Sequence, residues 1–224
     1  TINYKVTFST YNTFTVKNFG AGSGVIYRID KDTGDALIIT NYHVVYDNDA
    51  NEKIASEISL FLYGQEDFDI QTSSSVYDFY GNKYSYQNIV SDNKITATYL
   101  GGSMLYDIAV LKVTGSEILK NSSATNAYFS DSNEIAVGES AIAIGNPSGG
   151  GISATKGIIS VDSEYISMTG VDNQTLCTFR VIRTDAPVNP GNSGGGLFNA
   201  SGELIGIVNA KITSSSIENI AYAI

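Results

Sequence analysis

A single cysteine, Cys177, stands in 224 residues, so the chain has no internal disulfide framework and its stability has to come from a buried core. The thiol itself reads as a small buried apolar group. Tryptophan is absent, methionine occurs twice, proline three times and histidine once, at position 43. Basic residues are outnumbered 13 to 23 by acidic ones, for a net charge of -10. That is the reverse of a nucleic-acid-binding footprint and a poor match to an anionic membrane. No apolar stretch approaches the roughly 18 residues of a membrane-spanning helix. Thr1 is followed by a polar, aromatic-rich segment rather than a leader, so any export signal or anchor is expected to have been removed or never present.

What the chain does have is enough apolar material, 42% against 16% charged, for one to two compact units with a sizeable core. Short alternating runs recur at 4–8, 24–29, 36–40, 58–63, 95–100, 108–113, 140–144, 157–161, 178–183 and 204–208, separated by Gly, Asn, Asp and Ser clusters. Period-2 alternation rich in Val, Ile, Tyr and Thr predicts an all-β protein, with helical turns only after His43 and near 116–119. The prolines at 147, 187 and 190 all fall in expected loops.

The chemistry-bearing residues are few. Ser193 lies in Gly191-Asn192-Ser193-Gly194-Gly195, where a glycine-rich turn exposes a hydroxyl and frees neighbouring N–H groups to face a developing oxyanion. His43, in Thr40-Asn41-Tyr42-His43-Val44-Val45, is the natural proton acceptor. Asp107 opens the apolar run 108–113 and is the expected third member, with Asp92 as its rival. A Gly-x-Ser-x-Gly elbow of the α/β-hydrolase kind is set aside because no histidine follows the serine. The order His, Asp, Ser is that of the chymotrypsin-like proteases. Two six-stranded antiparallel β-barrels with the site in the cleft between them are therefore expected. Their bounds are 1–118 and 131–224, joined by a connecting segment at 119–130.

Other motifs carry less. Residues 30–35 and 47–52 fail the spacing of a calcium loop, and the first reads as a hairpin turn. Residues 145–151 lack the Lys-Ser/Thr of a phosphate loop. The tyrosine-rich stretch 77–86 reads as a hairpin or a partner-contacting surface. No metal or organic cofactor is implied.

Five blocks then acquire a common meaning: Gly22-Ser23-Gly24-Val25-Ile26, residues 107–113, Ala143-Ile144-Gly145-Asn146-Pro147, Gly157-Ile158-Ile159-Ser160, and above all the run 184–199 around Ser193. Together with residues 40–45 they resemble the HtrA/Deg branch of chymotrypsin-like serine proteases over most of the chain. Residues 219–224 look like the strand with which that protease domain ends. The departures are Tyr42, Arg183 and Lys211, each in a place where the family carries a smaller or an amide side chain.

The resemblance implies specific roles. His43, Asp107 and Ser193 form the triad, and Gly191, Asn192 and Ser193 form the oxyanion hole through the N–H groups of Gly191 and Ser193, with Asn192 in support. Pro187, Val188, Asn209, Ala210, Lys211, Asn219, Ile220 and Ala221 line the substrate-binding pocket. That pocket lacks an acidic floor, so small or medium aliphatic residues are expected before the scissile bond. An asparagine before the serine cannot pair with a newly cut amino terminus. Control is expected instead through loops 187–191 and 211–218, with 162–175 as a sensor loop. Unfolded polypeptides are the implied substrates, bound by strand addition. The resemblance further implies an exported or cell-surface bacterial protein. It implies a homotrimer formed through Tyr4, Phe8, Tyr11, Phe14 and Phe19, although those rings suit internal packing equally well. The family commonly continues into a PDZ domain, and this chain stops where one would start. A non-catalytic, chaperone-like peptide-binding domain is the alternative, and an esterase a third reading.

Overall fold

The computed structural model describes residues 2–9, 12–18, 20–48, 50, 52–66, 69–77, 83–147, 151–210 and 220–224, with side chains from Gly20 onward outside 70–89. In chain order the elements are β1 (Ile2–Ser9), β2 (Asn12–Asn18), β3 (Val25–Asp30), β4 (Asp35–Thr40), α1 (Tyr42–Val45), β5 (Ile58–Leu60), β6 (Asp69–Tyr77), β7 (Lys83–Val90), β8 (Ile95–Ser103), β9 (Ile108–Val113), α2 (Glu117–Asn121), β10 (Ser140–Gly145), β11 (Ser153–Thr169), β12 (Leu176–Thr184), β13 (Gly196–Phe198), β14 (Leu204–Asn209) and β15 (Ala221–Ala223). The expected all-β fold is borne out, and both helices are short turns at the two expected places.

Two antiparallel sheets carry the architecture. The first runs β3-β4-β9-β8-β5 and is open at β3 and β5 among the described residues, so it holds five strands rather than the six expected. The second follows the order β10-β11-β12-β15-β14-β13, and β13 pairs back to β10 through Ile142 with Phe198. β11 serves two partners: its first half pairs with β10 and its second half with β12, and the register breaks near Val161 where it changes over. Breaks of this kind bend a strand, which lets one long element turn a corner of the sheet. Residues 162–169, expected as part of a loop, therefore lie in β11, and the turn itself is confined to 170–175. The hairpins β1-β2 and β6-β7 stand as separate two-stranded ladders, and 78–82 of the tyrosine-rich stretch lie outside the described residues.

Alternation decides what each sheet buries. In β4, Ala36, Ile38 and Thr40 face inward, meeting Ala109, Leu111 and Val113 of β9. The second core gathers around Ile159, Leu197 and Val208, and every residue of β14 is buried. Val25, Leu204 and Ile207 form a third cluster with Ile39 and Ile108 that joins the two sheets. Alongside it runs the segment after α2, where the Ala127 N–H donates to Ile26 O at 2.9 Å and the Leu204 N–H to Tyr128 O at 2.7 Å. Residues 30–35 do form the expected hairpin turn. Asp30 Oδ1 accepts from the Asp32 and Thr33 N–H groups at 2.9 and 3.2 Å, which spends that carboxylate on its own backbone. Among the described residues no helix is long and apolar enough to cross a membrane.

Leu197 is fully enclosed at the centre of the second core. Leu197→Ala is expected to lower unfolding stability by about 3 kcal/mol through lost apolar transfer and a residual cavity. Urea denaturation measures this, with an unchanged m-value expected.

Candidate active site

β4 delivers the chain to Asn41, which is wholly buried, and α1 begins at the next residue. Asp107 lies in the tight turn before β9, at φ 50, a left-handed conformation that aspartate tolerates better than most residues. Its N–H donates to Met104 O at 3.2 Å, closing that turn. The two segments are then stapled together. Asp107 O accepts from Asn41 Nδ2 at 2.9 Å and from the Tyr42 N–H at 3.1 Å. Asp107 Oδ1 accepts from the His43 N–H at 2.8 Å, and Oδ2 lies 2.6 Å from His43 Nδ1. With one ring nitrogen given to a carboxylate, the imidazole has its orientation set and its Nε2 left for other work.

A further donor comes from the second sheet. Asn209 ends β14 with no exposed surface, and its Nδ2 donates to Asp107 Oδ2 at 2.8 Å. Asn209 was expected to line the substrate pocket; its amide instead reaches the back of the histidine–carboxylate pair. Three donors thus serve a carboxylate that is 8% exposed, which is what a buried anion requires.

Ser193 follows a loop that precedes β13 and is 6% exposed. Gly194 has φ 86, and a Cβ there would come within 2.2 Å of Ser23 O and of Thr40 Oγ1, so only glycine lets the serine approach the first sheet this closely. The Gly194 N–H donates to Val208 O at 3.0 Å, anchoring the loop to β14. Ser193 Oγ accepts from the Ala210 N–H at 3.2 Å and makes no hydrogen bond to His43. Among the described residues the Gly191 and Ser193 N–H groups have no partner, so both are available to a ligand oxygen. Asn192 is a different matter. Its N–H donates to Asn189 O at 3.0 Å, and its buried Oδ1 lies where a Cβ on Gly145 would be 2.7 Å away. The side chain therefore points behind the loop rather than supporting an oxyanion.

The remaining predicted positions divide. Pro187 O accepts from Thr155 Oγ1 at 2.7 Å, Val188 packs on the second core, and Ala210 and Ala221 are buried near the loop and β12 respectively. Ile220 is half-buried beside Ala221, and Lys211 and Asn219 lie outside the described residues, as does the loop 211–218. The rival acid Asp92 is exposed in the turn between β7 and β8. Arg183 pairs with Glu164 at 3.3 Å on the neighbouring strand, so its charge is directed along the sheet. The Tyr42 ring packs against Tyr46 and Tyr99, with centroids 6.0 and 6.3 Å away, and burial pushes its hydroxyl pKa up from the usual phenol value. A cavity of about 870 Å³ lies under the first sheet beside 121–128, and none of His43, Asp107 and Ser193 lines it. Among the described residues no group of three or more His, Cys, Asp or Glu is placed to hold a metal.

A histidine bonded to a buried aspartate, with a serine on a glycine-rich loop of the sheet that also donates to that aspartate, agrees with the arrangement expected of a trypsin-like peptidase. Residues 22–207 match the trypsin-like peptidase domain family, and the chain belongs to it. The curated relatives it resembles are HtrA serine proteases. It is 35% identical over 210 residues to the serine protease Do-like HtrA of Lactococcus lactis subsp. cremoris (strain MG1363), covering 91% of this chain and 41% of that one. The serine protease Do-like HtrA of Bacillus subtilis (strain 168) is 35% identical over 207 residues, covering 92% of this chain and 36% of the relative. Among solved structures, the HtrA-type protease AlgW with decapeptide superposes with a TM-score of 0.59 at 28% identity, over 98% of this chain and 51% of that one. The chain thus spans about two fifths of the length of these two relatives.

Removing the Asn209 amide takes one of three donors from a buried carboxylate. Asn209→Ala is expected to cost about 2 kcal/mol of stability, the scale of a hydrogen bond to a charged group, read as a lower midpoint in urea.

Proposed function

We propose that this domain is a serine endopeptidase in which Ser193 is the nucleophile, His43 the general base and acid, and Asp107 the group that fixes the imidazole. The observation that carries the reading is the 2.6 Å contact between His43 Nδ1 and Asp107 Oδ2, backed by the His43 N–H and Asn209 Nδ2 on the same carboxylate. A carboxylate held this way settles the tautomer and stabilises the imidazolium formed when Ser193 loses its proton. Ser193 Oγ attacks the carbonyl carbon of a peptide bond, and its proton passes to His43 Nε2. The oxygen of the tetrahedral intermediate takes up the N–H groups of Gly191 and Ser193. His43 then gives the proton to the amine as the C–N bond breaks, leaving an acyl-enzyme. Water, activated by the same imidazole, releases the acid and restores the serine.

The starting position of the hydroxyl belongs to this mechanism. Ser193 Oγ accepts from the Ala210 N–H, so the attack begins with a side-chain rotation toward His43, a contact that commonly tightens only with substrate in place. The substrate class we propose is extended polypeptide, laid between the two sheets and paired to strand edges, which unfolded chains offer and folded ones rarely do. AlgW, the HtrA-type neighbour, was solved with a decapeptide, which suits that class. Val188, Ala210 and Ala221 leave the proposed specificity pocket apolar and small, favouring Ala or Val over Arg or Lys before the cleaved bond. We read 1–118 and 131–224 as the two halves that meet at this site. An extracytoplasmic location in a bacterium is part of this proposal, supported by the similarity to HtrA proteases. A trimer and a companion PDZ domain are parts of the same proposal, carried by resemblance alone.

Ser193→Ala is expected to lower hydrolysis of unfolded casein by about five orders of magnitude with an unchanged melting temperature. Equal turnover by the two proteins in a gel or fluorescence assay contradicts the assignment and favours a peptide-binding, chaperone-like domain. In a panel of chromogenic peptides differing only before the scissile amide, Val or Ala is expected to give the highest kcat/KM. A preference for Arg would sink the proposed pocket while leaving the triad intact.

A further inference from the structure

Ser23, two residues ahead of β3, uses every polar group it has on the site. Its N–H donates to Ser193 O at 2.8 Å, and its carbonyl accepts from Thr40 Oγ1 at 2.7 Å. Its hydroxyl lies 2.7 Å from Gly191 O and 2.8 Å from the Asn146 nitrogen. The direction of those last two bonds follows from chemistry: the Asn146 N–H can only donate and the Gly191 carbonyl can only accept. The hydroxyl therefore receives the first and gives its own proton to the second. One residue thus links Thr40, the last residue of β4 and three before His43, to both Gly191 and Ser193 and to the residue that follows β10.

The link to Gly191 is the informative one. Gly191 O and the Asn192 N–H belong to the same peptide unit. The N–H end donates to Asn189 O at 3.0 Å, so the unit is gripped at both ends, by Ser23 on one side and Asn189 on the other. A planar peptide turns as a whole, and rotating this one breaks both bonds together. Gly191 has no side chain to oppose such a rotation, and it carries one of the two N–H groups that lack a partner among the described residues. We propose that Ser23 is a positioning residue: its hydroxyl holds the Gly191-Asn192 peptide in the orientation that keeps the Gly191 and Ser193 N–H groups facing the reacting carbonyl oxygen. It also registers that loop against Thr40, at the end of the strand that leads to His43. The inference rests on the protease reading above and extends it to a residue that never touches the substrate.

The competing explanation is that Ser23 only strengthens the contact between the two sheets. The two differ in what Ser23→Ala changes. Active sites are counted by fluorophosphonate labelling run to completion, and peptide hydrolysis and inhibition by a peptide boronate are measured per labelled site. For a positioning role, KM stays within about two-fold of wild type while kcat per site falls about ten- to a hundred-fold, the scale of a displaced oxyanion donor. Boronate affinity falls by a similar factor, because its tetrahedral oxygen uses the same N–H groups. An unchanged kcat per site with fewer sites or a lower Tm overturns the proposal and leaves the protease reading standing. Should the alanine variant fail to fold, Ser23→Cys takes its place. It keeps the shape and replaces a strong hydroxyl with a weak sulfur donor and acceptor, and the same split is expected. Wild-type protein that neither labels nor cleaves any peptide overturns the protease reading itself, and this arm is read independently of the variants.

Discussion

Asp107 receives five donors: Asn41 Nδ2 and the Tyr42 N–H on its carbonyl, and the His43 N–H, His43 Nδ1 and Asn209 Nδ2 on its carboxylate. Four come from residues 41–43, immediately after β4, and one from the end of β14, so a single buried anion is shared by segments attached to the two sheets. A carboxylate at this depth is costly until its donors are in place and strongly held once they are. Orienting the histidine and closing the two sheets on one another are consequently one event. The apolar cluster of Val25, Leu204 and Ile207 supplies affinity between the sheets, while the Asp107 network supplies the geometry.

Around that fixed point the nucleophile side is built from backbone rather than side chains. Gly194 makes room for the first sheet at the closest approach, and the loop before it is tied to Val208, Asn189 and Ser23. Backbone donors held by their own neighbours need little reorganisation when charge develops, which is the property that makes such a loop useful in acyl transfer. The Ser193 hydroxyl is bonded to the Ala210 N–H rather than to the imidazole. On the proposed mechanism, the division is between a base held by a buried carboxylate and a nucleophile that reorients on a restrained loop.

Much of the fold was legible because its strands alternate. All ten alternating runs overlap strands, although 58–63 is a strand only over Ile58–Leu60; among them is β4, whose inward Ala36, Ile38 and Thr40 predict the strand that leads to His43. Two of the strands outside those runs lack the signature: β13 is three residues long, and β6 contains the polar run Gln71-Thr72-Ser73-Ser74-Ser75. The pairing of His43 with Asp107 was readable from the motifs, since a carboxylate opening an apolar strand has to be held somewhere. The bond from the Asn209 amide to Asp107 is not part of the sequence reading, which assigns Asn209 to the pocket. An amide closing a strand buried along its whole length needs a partner, and a buried anion was the one to look for. Asn192 and Ser23 depend on contacts across the two sheets, which local sequence does not encode.

The most direct test of an activated serine is fluorophosphonate labelling of the wild-type protein, with and without added unfolded polypeptide, followed by mapping of the adduct. A single adduct on Ser193 is the expected result, since among the described residues the Gly191 and Ser193 N–H groups beside its hydroxyl have no partner, and the proposed base, His43, is oriented by Asp107. A protein that stays unlabelled under both conditions, or that labels at another serine, contradicts the central claim.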